Sequence, residues 1–229
     1  MNKAKIIFIA AFGLALILIV GYWIFKPKAQ ADWLQESRGK FKVKWEKQHS
    51  LEFSDAAEIA SMHSVEGKWE ITDGMLRAVE GEKNRALLVA PCGFESVRVE
   101  FDVTLFAAKD GKIGDITVLL NAENGDSPKN WFENGYALTT GSYWNNCSTF
   151  YKKGEMIART EYSPLVSGQK YKVAVEFHKG HIRYWLDDKI ILEAWDAQPL
   201  EMDEKLWIGI RTWDTLMAVD NLTVFSGKD

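Results

Sequence analysis

Glu100 and Asp102 are residues whose type and spacing could do chemistry. Side chains two residues apart on a β-strand point to the same side, so a strand through this segment would stand two carboxyls together. Paired carboxylates about 5–5.5 Å apart serve retaining glycoside hydrolysis, one as nucleophile and one as acid. A pair alone assigns neither role. The plainer expectation is an outer strand face on which Lys or Arg across the sheet balances both acids.

A stronger pointer is the density of rings and amides between residues 130 and 146. Trp131, Phe132, Tyr136, Tyr143 and Trp144 share this stretch with Asn130, Asn134, Asn145 and Asn146. Sugars present C–H faces to rings and hydroxyls to amides, so the mixture suits a glycan site. Farther on, Trp185, Trp207 and Trp213 fall out of phase with the apolar residues around them. Arg183 shares the phase of Trp185, and Arg211 that of Trp207. The site expected from these residues comprises Trp131, Tyr143, Trp144, Asn145, Asn146, Arg183, Arg211 and Trp213. The competing expectation is that the rings fill core or cover an edge, since Trp is usually largely buried.

Other chemistries find less support. The histidines are His49, His63, His178 and His181, and the last two flank Lys179-Gly180, which predicts a surface turn. No His and carboxylate cluster has zinc spacing. No glycine-rich phosphate loop, Gly-x-Ser-x-Gly elbow or Cys-His-Asn set is present. Asn121, Glu123, Asn124 and Asp126 would offer oxygens to calcium, though an ordinary Asn/Asp/Gly loop explains them as well. No cofactor is expected, with calcium left chemically open. The two cysteines, Cys92 and Cys147, would close a long loop worth about 4 kcal/mol if bridged, or stay separate buried thiols. The net charge of −4, with no long basic run, argues against nucleic acid, which needs clustered Lys and Arg.

The elements that must position these residues are strands. Lys68–Thr72 runs into Asp73-Gly74, a strong hairpin signal, and then Met75–Val79. Val97, Val99, Phe101, Val103 and Leu105 alternate with polar residues; Ile116, Val118 and Leu120 repeat the spacing, as do Tyr171, Val173, Val175 and Phe177, then Ile182, Tyr184 and Leu186, and Leu206, Ile208 and Ile210 form another strand. Period two buries one face of each strand. Val219 is out of phase with Leu222 and Val224, which predicts a bulge at Asp220-Asn221. Lys40–Trp45 reads as a first strand, and Asp55–Met62 as a short helical segment capped by Ser54 or Asp55. About a dozen short strands with no βαβ unit make an all-β antiparallel two-sheet sandwich.

Several segments resemble concanavalin A-like lectin and glucanase domains. They are Gly67–Leu76, Val99–Val103, Asn134–Leu138, Asn146–Ser148, Lys153–Glu155, Trp185–Lys189, Ile208–Thr212 and Val219–Val224. The likeness covers roughly Glu52 to Ser226 and extends to bacterial domains related to 3-keto-disaccharide hydrolases. It implies a jelly roll with one concave sheet, often holding a sugar. Glucanases of this fold place a further Glu two or three residues after the Asp. Here Thr104 or Leu105 stands there, so the resemblance does not supply a second catalytic Glu.

Ile6–Phe25 is uncharged and apolar, flanked by Lys3, Lys5, Lys26 and Lys28. As a helix it is long enough to span a bilayer core. Ala29-Gln30-Ala31 also fits a signal cleavage site. The expected organisation is therefore 1–30 membrane anchor or signal, 31–50 tether and lead-in, and 51–229 sandwich. The expected product is a carbohydrate-binding protein held outside the cytoplasm by residues 6–25, or secreted if cleaved after Ala31. The alternatives are a hydrolase or lyase of the same fold and a structural module that binds protein.

Overall fold

The computed structural model describes residues 43–79, 84–108, 110–123, 134–163 and 165–228. The strands in chain order are β1 Lys44–Leu51, β2 His63–Glu66, β3 Trp69–Thr72, β4 Met75–Ala78, β5 Asn84–Pro91, β6 Ser96–Phe106, β7 Ile116–Ala122 and β8 Tyr136–Gly141. They continue as β9 Cys147–Lys152, β10 Glu155–Thr160, β11 Lys170–His178, β12 His181–Leu186, β13 Lys189–Trp195, β14 Trp207–Trp213 and β15 Leu216–Lys228. One sheet has eight strands, in the order β13-β12-β11-β6-β15-β4-β3, with β1 also paired to β15. The other has seven, in the order β10-β9-β8-β7-β14-β5-β2. The sandwich expected from alternation is present, and its strand pairs are antiparallel.

The core lies between the sheets. From β6 it takes Val97, Val99, Phe101, Val103 and Leu105, from β11 Val173, Val175 and Phe177, and from β7 Ile116, Val118 and Leu120. Their alternate neighbours face outward, as the period-two pattern requires. On the seven-stranded sheet the outward face is itself partly apolar. Ala86, Leu88, Leu119, Ala122 and Ala137 form a second buried cluster there, with Tyr151 and Trp207 against it. This explains why β7 is buried along its whole length.

Local chemistry at the turns follows the sequence. Asp73 and Gly74 take φ of 55° and 70° between β3 and β4, the left-handed pair of a tight hairpin. Asp187 and Asp188 do the same between β12 and β13, at 48° and 62°. Asp55 caps a 3-10 helix, Ala56–Ser61, by accepting from Ala57 N, while the Glu58 carboxylate accepts from Asp55 N. The predicted bulge is present: the β15–β6 register shifts between Asp220 and Thr223, with Asn221 at φ 52°.

Three expectations are corrected. The strand expected at Lys40–Trp45 begins outside the described residues; among those described the first strand is Lys44–Leu51, running well past Trp45, and it pairs along β15 from Leu222 to Lys228. Residues 44–50 thus belong to the sandwich, because their backbone groups find partners in the last strand. The expected turn at Lys179-Gly180 is present, with His178 and His181 paired across it, but the histidines are not surface residues. His181 is 4% exposed with Nε2 2.7 Å from Glu193 Oε1, and His178 Nδ1 lies 2.6 Å from Ser96 Oγ. Tyr136 belongs to the core, where its hydroxyl donates to Asp196 at 2.8 Å. Cys92 and Cys147 are separate buried thiols. Burial pushes the Cys92 thiol up to about 12. The apolar segment 6–25 lies outside the described residues. Among those described, no helix is long and apolar enough to cross a membrane.

Candidate functional site

Asp115 immediately precedes β7, and Arg211 points outward from the middle of β14. Arg211 Nη1 stands 3.1 Å from Asp115 Oδ2, and Arg211 Nε donates to Asn84 Oδ1 of β5 at 2.7 Å. Asn84 Nδ2 in turn donates to Glu66 of β2. On the other side, the Thr117 hydroxyl donates to Asp115 and pairs with Thr139 of β8 at 2.8 Å. The result is a hydrogen-bonded polar row on the outer face of the seven-stranded sheet, crossing β2, β5, β14, β7 and β8. The Trp213 backbone N–H also donates to Asp115, at 3.1 Å. Burial pushes the Asp115 carboxyl up and outweighs the opposing pull of Arg211.

An unusual turn overhangs this row. Between β8 and β9 the chain passes Gly141 at φ 90° and then takes left-handed conformations at Tyr143, Trp144 and Asn145, with φ of 54°, 61° and 61°. Each non-glycine residue held there costs roughly 1–2 kcal/mol. The surroundings enforce it. Asn146 N donates to Ser142 O, Ser142 Oγ pairs with Thr149 Oγ1, and the Asn146 side chain bonds Tyr143 O. The Asn145 side chain accepts from the Ser163 hydroxyl and donates to Leu165 O at 2.7 Å. Strain of this kind clusters at functional sites, where it fixes side chains in useful positions. Here it presents two rings to solvent, Tyr143 at 56% and Trp144 at 46% exposure.

Tyr143, Asp115 and Arg211 are shared by two adjoining hollows. The first has a volume of about 350 Å³ and runs past Thr139, Ser142, Tyr151 and Gly154. The second, about 360 Å³, is open to solvent and lined by Trp144, Trp213, Gly114 and Gly141. Cations stack on the rings: Lys112 Nζ lies 4.7 Å from the Trp144 ring, the Arg159 guanidinium 5.3 Å from Tyr143, and Arg211 5.5 Å from Trp213. Each cation also pairs with a carboxylate: Lys112 with Asp110, Arg159 with Glu161 and Arg211 with Asp115. Burial and the neighbouring Tyr143 push the Tyr151 phenol up to about 12.

Of the residues expected from the sequence, Tyr143, Trp144, Arg211 and Trp213 meet at this cleft. Asn145 and Asn146 belong to it as braces of the turn, their side chains bonded within the protein. Arg183 is elsewhere. It lies on the outer face of the eight-stranded sheet, 2.8 Å from Glu193. Glu100 and Asp102 face outward from that sheet too. Glu100 pairs with Arg98, which also holds Glu176, and Asp102 pairs with Lys170 at 2.8 Å and Asn221 at 3.0 Å. This is the charge-balanced outer face expected as the plainer reading. Trp131, Phe132 and Asn130 lie outside the described residues, as do Asn124 and Asp126 of the possible calcium set. Within that set Asn121 is engaged internally: its Nδ2 donates to Glu201 O at 2.7 Å and its Oδ1 accepts from Asp203 N. A calcium site therefore gains no support from it. Among the described residues no group of three or more His, Cys, Asp or Glu could hold a metal ion.

Sequence reasoning did not single out Asp115, Thr117, Thr139, Tyr151 or Asn84. Only one signal bore on them: Arg211 stands out of phase in an apolar strand, which asks for an acidic partner on a neighbouring strand.

Comparison with known proteins gives three results. Residues 33–224 match the family described as the 3-keto-alpha-glucoside-1,2-lyase-like domain. No match is found among curated proteins. Solved structures share the fold. The carbohydrate binding module CBM66 from Bacillus subtilis is 19% identical, with 72% of this chain and 95% of that one covered at a TM-score of 0.57. The potassium-bound carbohydrate recognition domain of Emp46p is 14% identical, with 79% and 98% covered at 0.62. The exoplasmic/lumenal domain of VIP36, bound to Ca2+ and Man3GlcNAc, is 12% identical, with 81% and 90% covered at 0.59.

Proposed function

The chain belongs to the 3-keto-alpha-glucoside-1,2-lyase-like domain family, and from that premise we propose that it binds a carbohydrate in the cleft above Asp115 and Arg211. The observation that carries this reading is the strained turn at Tyr143–Asn145, which holds two exposed rings over a polar floor. Rings stack on the C–H faces of a sugar, and hydroxyls such as those of Thr139, Tyr143 and Tyr151 meet its hydroxyls. Proteins sharing the fold include a carbohydrate binding module, a carbohydrate recognition domain and a lumenal domain with Man3GlcNAc bound. We place the domain outside the cytoplasm, held by residues 6–25. The support is the length and apolarity of that segment.

The family name favours a second reading, a lyase acting on a 3-keto glucoside. Such a reaction needs a base to take the proton next to the ketone, and a useful base titrates near the working pH. Of the titratable groups in the cleft, Tyr151 is pushed far above that range, and Asp115, though burial raises its carboxyl, already accepts from Arg211, Thr117 and the Trp213 N–H. The cleft is therefore better suited to holding a sugar than to deprotonating one.

A glycan array with the purified protein tests the first reading. The expected result is binding to at least one glycan, competed by the same free sugar. Release of the aglycone from a 3-keto-α-glucoside, abolished in an Asp115→Asn variant that a thermal melt shows to be folded, would establish the second instead.

A further inference from the structure

Trp185 plays no part in the cleft. It points outward from β12 on the eight-stranded sheet, whose inward residues Ile182, Tyr184 and Leu186 join the core. The register sets Trp185 opposite Ala174 of β11, and Ala174 opposite Glu100 of β6. The next outward row is Arg183, Glu176 and Arg98. Trp185 Nε1 donates to Glu176 Oε2 at 3.1 Å, which anchors one edge of the indole while the ring stays half-buried. Ala174 is the one short side chain among these, and beside the indole it leaves a hollow of about 90 Å³ bordered by Arg98, Lys172, Trp185 and Asp188. Ile190 of β13, 39% exposed, stands on the other side of the ring. Charge around the hollow is compensated within the protein. Arg98 pairs with Glu100 and Glu176, Arg183 with Glu193 and Lys170 with Asp102, while Lys172 and Asp188 add one charge of each sign. A polyanion gains little net attraction from such a face. A neutral polyhydroxy ligand gains an indole to stack on, an ammonium that donates and a carboxylate that accepts.

We propose that this face is a second carbohydrate site, taking one pyranose unit of a neutral glycan on the Trp185 ring. A small substituent such as the hydroxymethyl group enters the hollow over Ala174, and ring hydroxyls meet Lys172 and Asp188. The proposal rests on the carbohydrate reading above for the chemistry of the ligand and shares no residue with the cleft. The cleft opens from the outer face of the seven-stranded sheet and this site from the outer face of the other. The two sites therefore look to opposite sides of the sandwich and engage separate glycan strands, so that one domain bridges two chains.

Native electrophoresis of the full chain, in a sugar-free neutral detergent and in gels containing pullulan, laminarin or hydroxyethyl cellulose, tests it. At least one polysaccharide should retard the native protein. Trp185→Ala and Trp144→Ala should each raise the apparent Kd at least about threefold, the loss expected of one stacked ring. The double variant should run as it does in a plain gel. Ala174→Leu fills the hollow but keeps the indole and its hydrogen bond, and it should weaken retardation as Trp185→Ala does; thermal melts check that each variant is folded. Native retardation of Ala174→Leu and of folded Trp185→Ala, with retardation lost in Trp144→Ala, would overturn the second site and leave the cleft standing. Loss in Trp185→Ala and Ala174→Leu with none in Trp144→Ala would keep the second site and remove the cleft. Retardation of the native protein by none of the three polysaccharides would remove both.

Discussion

Arg211 of β14 and Asp115, the residue before β7, meet with Nη1 and Oδ2 3.1 Å apart, and the side chains are only 18% and 11% exposed. Breaking such a pair from one side leaves a buried charge without compensation. Arg211→Met is expected to lose about 3–5 kcal/mol of stability in a urea melt. The double variant Arg211→Met, Asp115→Leu should recover part of that loss. A single variant as stable as the native protein would show that the pair does not brace the cleft floor.

Trp144 is 46% exposed, so its ring is not core. Trp144→Ala should weaken binding of whichever glycan the array identifies and shift the thermal midpoint little. Truncation of a buried Trp costs roughly 3–5 kcal/mol. A loss of that size here would remove Trp144 from the binding surface.

Asn145 both tolerates the left-handed backbone and clamps Ser163 and Leu165. Asn145→Ala loses both properties, and an expected cost of about 2–3 kcal/mol follows from two hydrogen bonds near 1 kcal/mol each plus left-handed strain. Asn145→Gly removes only the clamp and should cost less. The reverse order, read by chemical denaturation, would show that strain at this position is unimportant.

Asp196 ties three segments together. It accepts from Tyr136, from Lys152 and from the Gln198 backbone. Burial pushes its carboxyl up, but the Lys152 ammonium, the Tyr136 hydroxyl and the Gln198 N–H outweigh burial and hold it below the ordinary carboxylate range. A carboxyl with a depressed folded value contributes stability above its unfolded pKa, about 3.9, and loses it as pH falls through the folded one. Native protein should therefore lose more stability on acidification below about pH 4 than Asp196→Asn does. Parallel curves for the two proteins would contradict the assignment.

Cys92 and Cys147 are both buried, and they are not bridged. Titration with a thiol reagent should find neither cysteine in the folded protein and both after unfolding without reductant. A single band shift on adding reductant to a denaturing gel would contradict this.

Much of the fold is legible in the sequence because burial writes itself as alternation. Val97 to Leu105 could be assigned to the core from spacing alone. Asp73-Gly74 and Asp187-Asp188 could be read as turns, and the phase slip at Val219 located the bulge. The lead-in was harder. Lys44–Leu51 is an outlying strand with polar residues on both faces, so it carries no period-two signature and is recognisable only by its partner. The cleft was half legible. Tyr143 and Trp144 stood out because rings are conspicuous, and Arg211 because charge in an apolar strand is. Asp115, Thr117 and Thr139 come together only through the pairing of β14, β7 and β8, and no local pattern encodes that pairing. Arg183 looked equivalent to Arg211 in phase, but phase does not say which of the two sheets a strand joins.

The partnership of β1 with β15 has a mechanical side. The two strands run antiparallel, and Lys44 lies opposite Lys228, so the domain enters and leaves at one corner. Tension between its two ends would fall on the rung nearest that corner and then on the next, opening the strands like a zipper instead of shearing them. The sandwich would yield to a pull along its own chain far more readily than its large core suggests. It would also accept having those two ends stitched together by a short linker and a new opening cut in a distant turn such as Asp187-Asp188.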